Sequence, residues 1–338
     1  MIVNAYSVVA AFAAVLRVAL GLVVCIAGAR ALLRWRRGGD ATEASEGRFH
    51  LLVLLCGTLL GVGVASWPLL YLVLESYVPH WPGVMCIRGV TLIGTGSLGP
   101  SGWLPGLVAF LEAAKPALVF VSGLWLVLHL ANRRAPTAAR TGRVLAALVL
   151  CGGVAAADGA AETAYLAIPK QETFLSVGCC TAASHQGAVA TTATLDAYPL
   201  DGPPRPRTAL TAAFFGLGGA MVLALTLALR RRSRALWIGA ALAGATASVP
   251  VALAFLKDVA APAFLRLPYH HCAYCLVKGA PESLVGIALF ALGVFGTAWA
   301  CAVRWGVRGQ GVVEERLLRL ARFGALGALL MAAVRLVQ

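Results

Sequence analysis

Eight apolar stretches recur along the chain, at about residues 7–33, 50–76, 105–131, 144–168, 208–229, 235–256, 282–303 and 321–337. Wound as a helix at about 1.5 Å per residue, a run of roughly 20 residues crosses the ~30 Å hydrocarbon core of a bilayer. In lipid every backbone polar group must find its partner inside the protein, and a helix provides that within one segment. The composition agrees: 60% of residues are hydrophobic and 12% charged, against about 25% charged in an ordinary soluble domain. The expected fold class is therefore all-α, a polytopic integral membrane helical bundle of about eight transmembrane helices. The last run is short and carries Arg335 near its end. The stretch before it, Val312 to Arg322, reads as a basic amphipathic helix on the membrane surface. The first run is expected to be a retained span, because no basic segment precedes it and Arg17 interrupts it.

The net charge of +14 does not point to nucleic acid, because the arginines stand in short clusters between the apolar runs. Loops after the first, third, fifth and seventh runs carry 17 Arg and Lys, against 7 in the loops between them. By the positive-inside rule the richer set is cytoplasmic and both termini lie outside. Three longer loops then face outward: residues 77–104, 169–207 and 257–281. They hold five of the nine cysteines and four of the six histidines. Ala65-Ser66-Trp67-Pro68 and Ala247-Ser248-Val249-Pro250 recur in the second and sixth runs. Each precedes an outer loop containing His and then Cys. The recurrence suggests two four-helix halves, 1–168 and 208–338, joined by the Cys/His loop 169–207 and related by an axis along the membrane normal.

The densest chemistry lies in Leu267 to Cys275, where His270, His271, Cys272 and Cys275 fall within six positions. Three readings stay open. The first is structural: an outer surface is oxidising, so the loop cysteines would staple the loops, with Cys86 and Cys272 as natural partners. The second is a metal site, because His, Cys and Met together suit copper or zinc. Its candidate ligands are His80, Cys86, Cys179, Cys180, His185, His270, His271 and Cys272. In an extended segment His270 and Cys272 face the same way. The third is thiol–disulfide exchange at Cys272-Ala-Tyr-Cys275, where a loop meets a helix and a thiol is readily activated. Over about ten residues this segment resembles the membrane quinone-linked disulfide oxidoreductases. That resemblance implies catalytic roles for Cys272 and Cys275 and a quinone as electron acceptor. Those proteins use a four-helix core, half of what this chain offers.

Ionisable residues also fall inside the apolar runs. Glu112 and Lys115 lie in the third, where a local pair is the simplest expectation. Asp158 and Glu162 lie in the fourth at i and i+4, on one helix face. Charges at such depth face a cavity or each other, so Glu112, Asp158 and Glu162 are candidates for a proton or ion path. His50 and His129, at the inner ends of the second and third runs, are candidates for bis-histidine haem. Cys25, Cys56, Cys151 and Cys301 are expected to serve as small buried hydrophobes. Glycine-rich stretches such as Gly94–Gly99 lack the strand and the Gly-Lys-Ser/Thr of a phosphate loop, so no nucleotide is expected. The expected function is metal handling, of copper above all, or a metal-dependent redox step at the outer face. The alternatives are a thiol–disulfide oxidoreductase and a structural subunit of a membrane complex. The expected setting is a bacterial inner membrane, with the bilayer and periplasmic or membrane proteins as partners.

Overall fold

A computed structural model describes residues 4–37, 43–81, 84, 86–95, 97, 99–134, 138–170, 205–230, 234–267, 271–306 and 311–337. The expected loop residues Met85, Cys179, Cys180, His185 and His270 lie outside this set. The protein is helical, with no strand among the described residues, and eight of its helices are long and apolar enough to span a membrane. It divides into two compact units, Met1–Val177 and Gly178–Gln338, and each contains four of the eight.

The first unit is built from α1 (Ala5–Arg36), α2 (Glu43–Tyr77), the short α3 (Ile87–Thr91), α4 (Leu104–Arg134) and α5 (Ala138–Ala167). The long helices form a ring in which α5 packs on α1 and α4, and α2 packs on the same two. Asn4 starts α1 with a capping box: its side chain accepts from the Ser7 N–H, and its own N–H donates to the Ser7 hydroxyl. That arrangement satisfies two of the orphaned donors at a helix start. The Asn4 amide also donates to Ser76 near the end of α2, 2.9 Å away.

The buried stripe of α1 is Ser7, Ala10, Ala14, Arg17, Gly21, Val24 and Gly28, alternating three- and four-residue steps along one face. Its members are small apart from Val24 and Arg17. Bulky Phe12, Val15, Leu22 and Ile26 point outward. A membrane helix is sorted this way because lipid rewards apolar bulk outside while small residues let backbones meet. A Cβ placed on Gly152 of α5 would stand 2.6 Å from the Cys25 backbone nitrogen, and one on Gly159 would stand 2.6 Å from the Ala14 carbonyl oxygen. The two backbones touch, and Arg17 lies in the middle of that contact.

The second unit contains α6 (Arg205–Arg230), α7 (Arg234–Phe255), the short α8 (Ala261–Phe264) and α9 (Ala273–Gly279), then α10 (Ser283–Gly306) and α11 (Gly311–Val337). Here α6 packs on α7 and α11, and α10 on α7 and α11. The expected surface helix over Val312 to Arg322 and the short last span are in fact one helix. Its buried stripe runs from Glu314 through Leu317, Leu318, Ala321, Gly324 and Ala325 to Ala328. Arg316 and Arg319 point away from that stripe, so their charge never interrupts it. Glu314 is buried 3.7 Å from Arg304, joining the start of α11 to the end of α10.

Pro68, Pro116 and Pro250 all lie inside continuous helices. In both Ala-Ser-x-Pro segments the serine is buried and its hydroxyl donates to the carbonyl three residues back: Ser66 to Gly63 and Ser248 to Ala245.

Candidate functional site

Four buried ionisable side chains of the first unit, Arg17, Lys115, Asp158 and Glu162, form one network. Lys115 of α4 donates to Asp158 at 2.9 Å, to Glu162, and to the Ser66 hydroxyl of α2 at 3.2 Å. Arg17 of α1 lies 3.2 Å from the Asp158 carboxylate through Nε and pairs with Glu162 through Nη2. All four side chains are at most 1% exposed. The α-helical spacing of Asp158 and Glu162 sets both carboxylates on one face of α5, and the glycine contact with α1 brings Arg17 within reach. The local Glu112–Lys115 pair expected from sequence is replaced by these contacts. Lys115 turns into the bundle, while Glu112 lies on the exposed side of α4. Arg17, in sequence an interruption of the first span, is not among the expected site residues, although its place on a stripe of Ala and Gly at three- and four-residue spacing marks it as inward-facing.

Four atoms of this network are buried without a hydrogen-bond partner: Arg17 Nε and Nη1, Asp158 Oδ1 and Glu162 Oε1. Leaving such a group unpaired costs about 1–3 kcal/mol each. About two turns away along the same helices, the Cys56 and Cys151 thiols lie 3.6 Å apart, too far for a disulfide, and Cys151 is 3.2 Å from Ser122. These cysteines are buried as expected, but as a polar pair rather than separate hydrophobes. His129, weighed for haem with His50, is buried and stacked on Trp125, ring centroids 5.5 Å apart.

Beyond the end of α5, the Lys170 ammonium donates to the Tyr165 carbonyl at 2.7 Å and lies 4.4 Å from the Tyr165 ring centroid and 5.5 Å from that of Tyr77. It caps the negative end of the helix. Burial still pulls its pKa down from 10.5 to about 8. The unfolded chain holds that proton to about 10.5, so stability should rise as pH climbs from about 8 to about 10.5 and level off beyond. The gain is on the order of 1 kcal/mol, because water reaches part of the group. Thermal unfolding across that window should show it, and Lys170→Met should remove it.

In the second unit the Cys/His segment is positioned by three local features. The helix α7 passes into a π-helical turn, Leu256–Ala260, which carries Asp258. Such turns re-aim side chains and are frequent at functional sites. The chain then leaves α8 through Arg266 in the left-handed region, φ 54°. The Leu267 N–H returns to the Pro262 carbonyl and the Arg266 N–H to Ala263, a Schellman ending with arginine where glycine is usual. Finally Leu276, fully buried, seats α9 in an apolar cluster with Phe214, Phe255, Val259 and Ala261. Cys272 lies at the head of α9 and is 3% exposed; Cys275, three residues on, is half-buried. The His271 Nδ1 lies 3.4 Å from the Asp258 carboxylate.

In the first unit, His80 ends the short turn Val78–His80 on the exposed surface, and Cys86 precedes α3, half-buried. Asp258, which stands in the π turn 3.4 Å from His271, is not among the residues expected from sequence.

Comparison with protein-family models, with curated proteins and with solved structures finds no match.

Proposed function

We propose that the chain is an integral protein of a bacterial cytoplasmic membrane that handles a metal ion, copper above all, through the segment His271 to Cys275 at its outer face. The pairing of His271 with Asp258 beside two cysteines carries this reading. A metal-bound imidazole almost always gives its other ring nitrogen to a carboxylate or carbonyl, which fixes the ring and raises its basicity. Two thiolates and one imidazole form a soft set, suited to Cu(I) and, next, to Zn(II). The imbalance of 17 against 7 basic residues between the two sets of loops supports the outward orientation. His80, Cys86, Cys179, Cys180, His185 and His270 remain candidates to complete the set. Periplasmic or membrane proteins that deliver or accept the ion are the implied partners.

Elemental analysis and thiol counting on the purified protein test this reading. Near-stoichiometric copper or zinc is expected, lost in Cys272→Ala. Asp258→Asn should weaken the metal about 10–100-fold in a chelator competition. Metal-free protein with unchanged behaviour in both variants would sink it.

A second reading has its own support. An apolar cavity of about 70 Å³ lies among Phe214, Phe255, Phe264 and Phe290, with Glu282 and Arg335 at one side. Phe214 and Phe255 belong to the cluster that seats Leu276, directly after Cys275. A dithiol whose helix is seated on two wall residues of such a cavity suits a thiol–disulfide oxidoreductase: two thiols lose two electrons and two protons, a disulfide forms, and a membrane quinone becomes a quinol. Cys275→Ser would then trap a mixed disulfide with a partner, and metal content would stay near zero.

A further inference from the structure

The network Arg17, Lys115, Asp158 and Glu162 is independent of the Cys/His segment and has a chemistry of its own. Facing the two carboxylates of α5 are Arg17 from α1, Lys115 from α4 and the Ser66 hydroxyl from α2. Arginine keeps its proton at every accessible pH, so Arg17 is a fixed positive charge. Lys115, Asp158 and Glu162 are the members whose side chains exist both with and without a proton. With no proton among Lys115, Asp158 and Glu162, the site carries one net negative charge. With one proton it is neutral, and with two it carries one net positive charge.

A buried site in low dielectric strongly favours the neutral count, because an uncompensated charge there costs several kcal/mol. One proton is therefore shared among the lysine amine and the two carboxylates. The unpaired Asp158 Oδ1 and Glu162 Oε1 are the positions to which it can move without displacing any existing contact. The side chains are sealed from solvent, so a proton is the one species the site can gain or lose without parting the helices.

We infer that this network is a binding site for a single exchangeable proton, held in the membrane-length bundle of the first unit. Loss of that proton leaves a buried negative charge that only a cation or an opening of the bundle can relieve. That property lets a membrane protein couple proton movement to a change of shape.

The test is infrared spectroscopy of the full-length protein in lipid, with isotope-labelled carboxyl groups. Lys115→Met removes the amine, so the proton must move to a carboxyl. One protonated carboxyl band per chain is expected at neutral pH. It should vanish when Glu162→Gln is added, because Arg17 and Asp158 alone are already neutral. A Lys115→Met protein with both carboxylates ionised at neutral pH overturns the inference. Should Lys115→Met not fold, the wild type is titrated against the charge-balanced double variant. Release of one more proton per chain by the wild type on raising the pH supports the site, and identical titrations overturn it.

Discussion

Arg17→Leu is expected to destabilise the first unit by about 3–5 kcal/mol, the cost of removing one member of a buried ion pair and leaving its partners uncompensated. Lys115 would then stand alone against Asp158 and Glu162, both at most 1% exposed. Removing Asp158 as well restores the balance of charge. The double variant Arg17→Leu/Asp158→Leu should therefore recover most of the loss, giving a large favourable coupling in a double-mutant cycle. Denaturant unfolding of the protein in mixed micelles measures all four corners. A loss below about 1 kcal/mol in Arg17→Leu would show that the network does not hold the bundle, since exposed ion pairs are worth that little.

Gly152→Ala should cost about 1–3 kcal/mol, the usual range for forcing extra atoms into a closed interface. The new methyl would meet the Cys25 nitrogen at 2.6 Å and the Gly21 oxygen at 2.7 Å, and neither backbone atom can rotate away. At Gly153, one position on, the nearest atom to a new Cβ is the Cys25 sulfur at 4.0 Å. Gly153→Ala should therefore be neutral or stabilising by up to about 1 kcal/mol, because alanine is the better helix former. Opposite signs at adjacent glycines would locate the α1–α5 contact; equal effects would contradict it. The same pair bears on the ion network, because separating α1 from α5 draws Arg17 away from both carboxylates.

The helices were legible because apolar length is a property of each segment alone. All eight runs coincide with long helices, and the disagreements concern ends and joins. Val312 to Arg322 and the final span form one helix because Arg316 and Arg319, as charge per stretch a break, are by position on the exposed side. Their positions put them opposite the stripe from Glu314 to Ala328. The sites were less legible. Asp158 and Glu162 declared themselves by their spacing, but their partners are set by which helices meet. Lys115 therefore looked committed to Glu112, three residues away, when its contacts come from α5. Arg17 was read as an interruption of a span, although its neighbours at three- and four-residue steps are Ala14 and Gly21. Asp258 reaches His271 through a π turn, and no sequence pattern marks where one inserts.

The placement of Arg17 has a consequence for how such a chain is made. Its carboxylate partner Glu162 is 145 residues further on. At synthesis rates of about 5–20 residues per second, α1 exists for roughly 7–30 seconds before the second half of its ion network has been translated. A bilayer-spanning α1 would have to settle during that interval with an arginine near its centre, at a cost of about 2.5–3.5 kcal/mol. Its most apolar 18-residue stretch has a mean hydropathy of 2.6, higher than in any of the other seven helices long and apolar enough to span a membrane. The surplus of Val, Leu, Phe and Ile on its outward face is thus an entry ticket for a charge whose counter-ions have not yet been born.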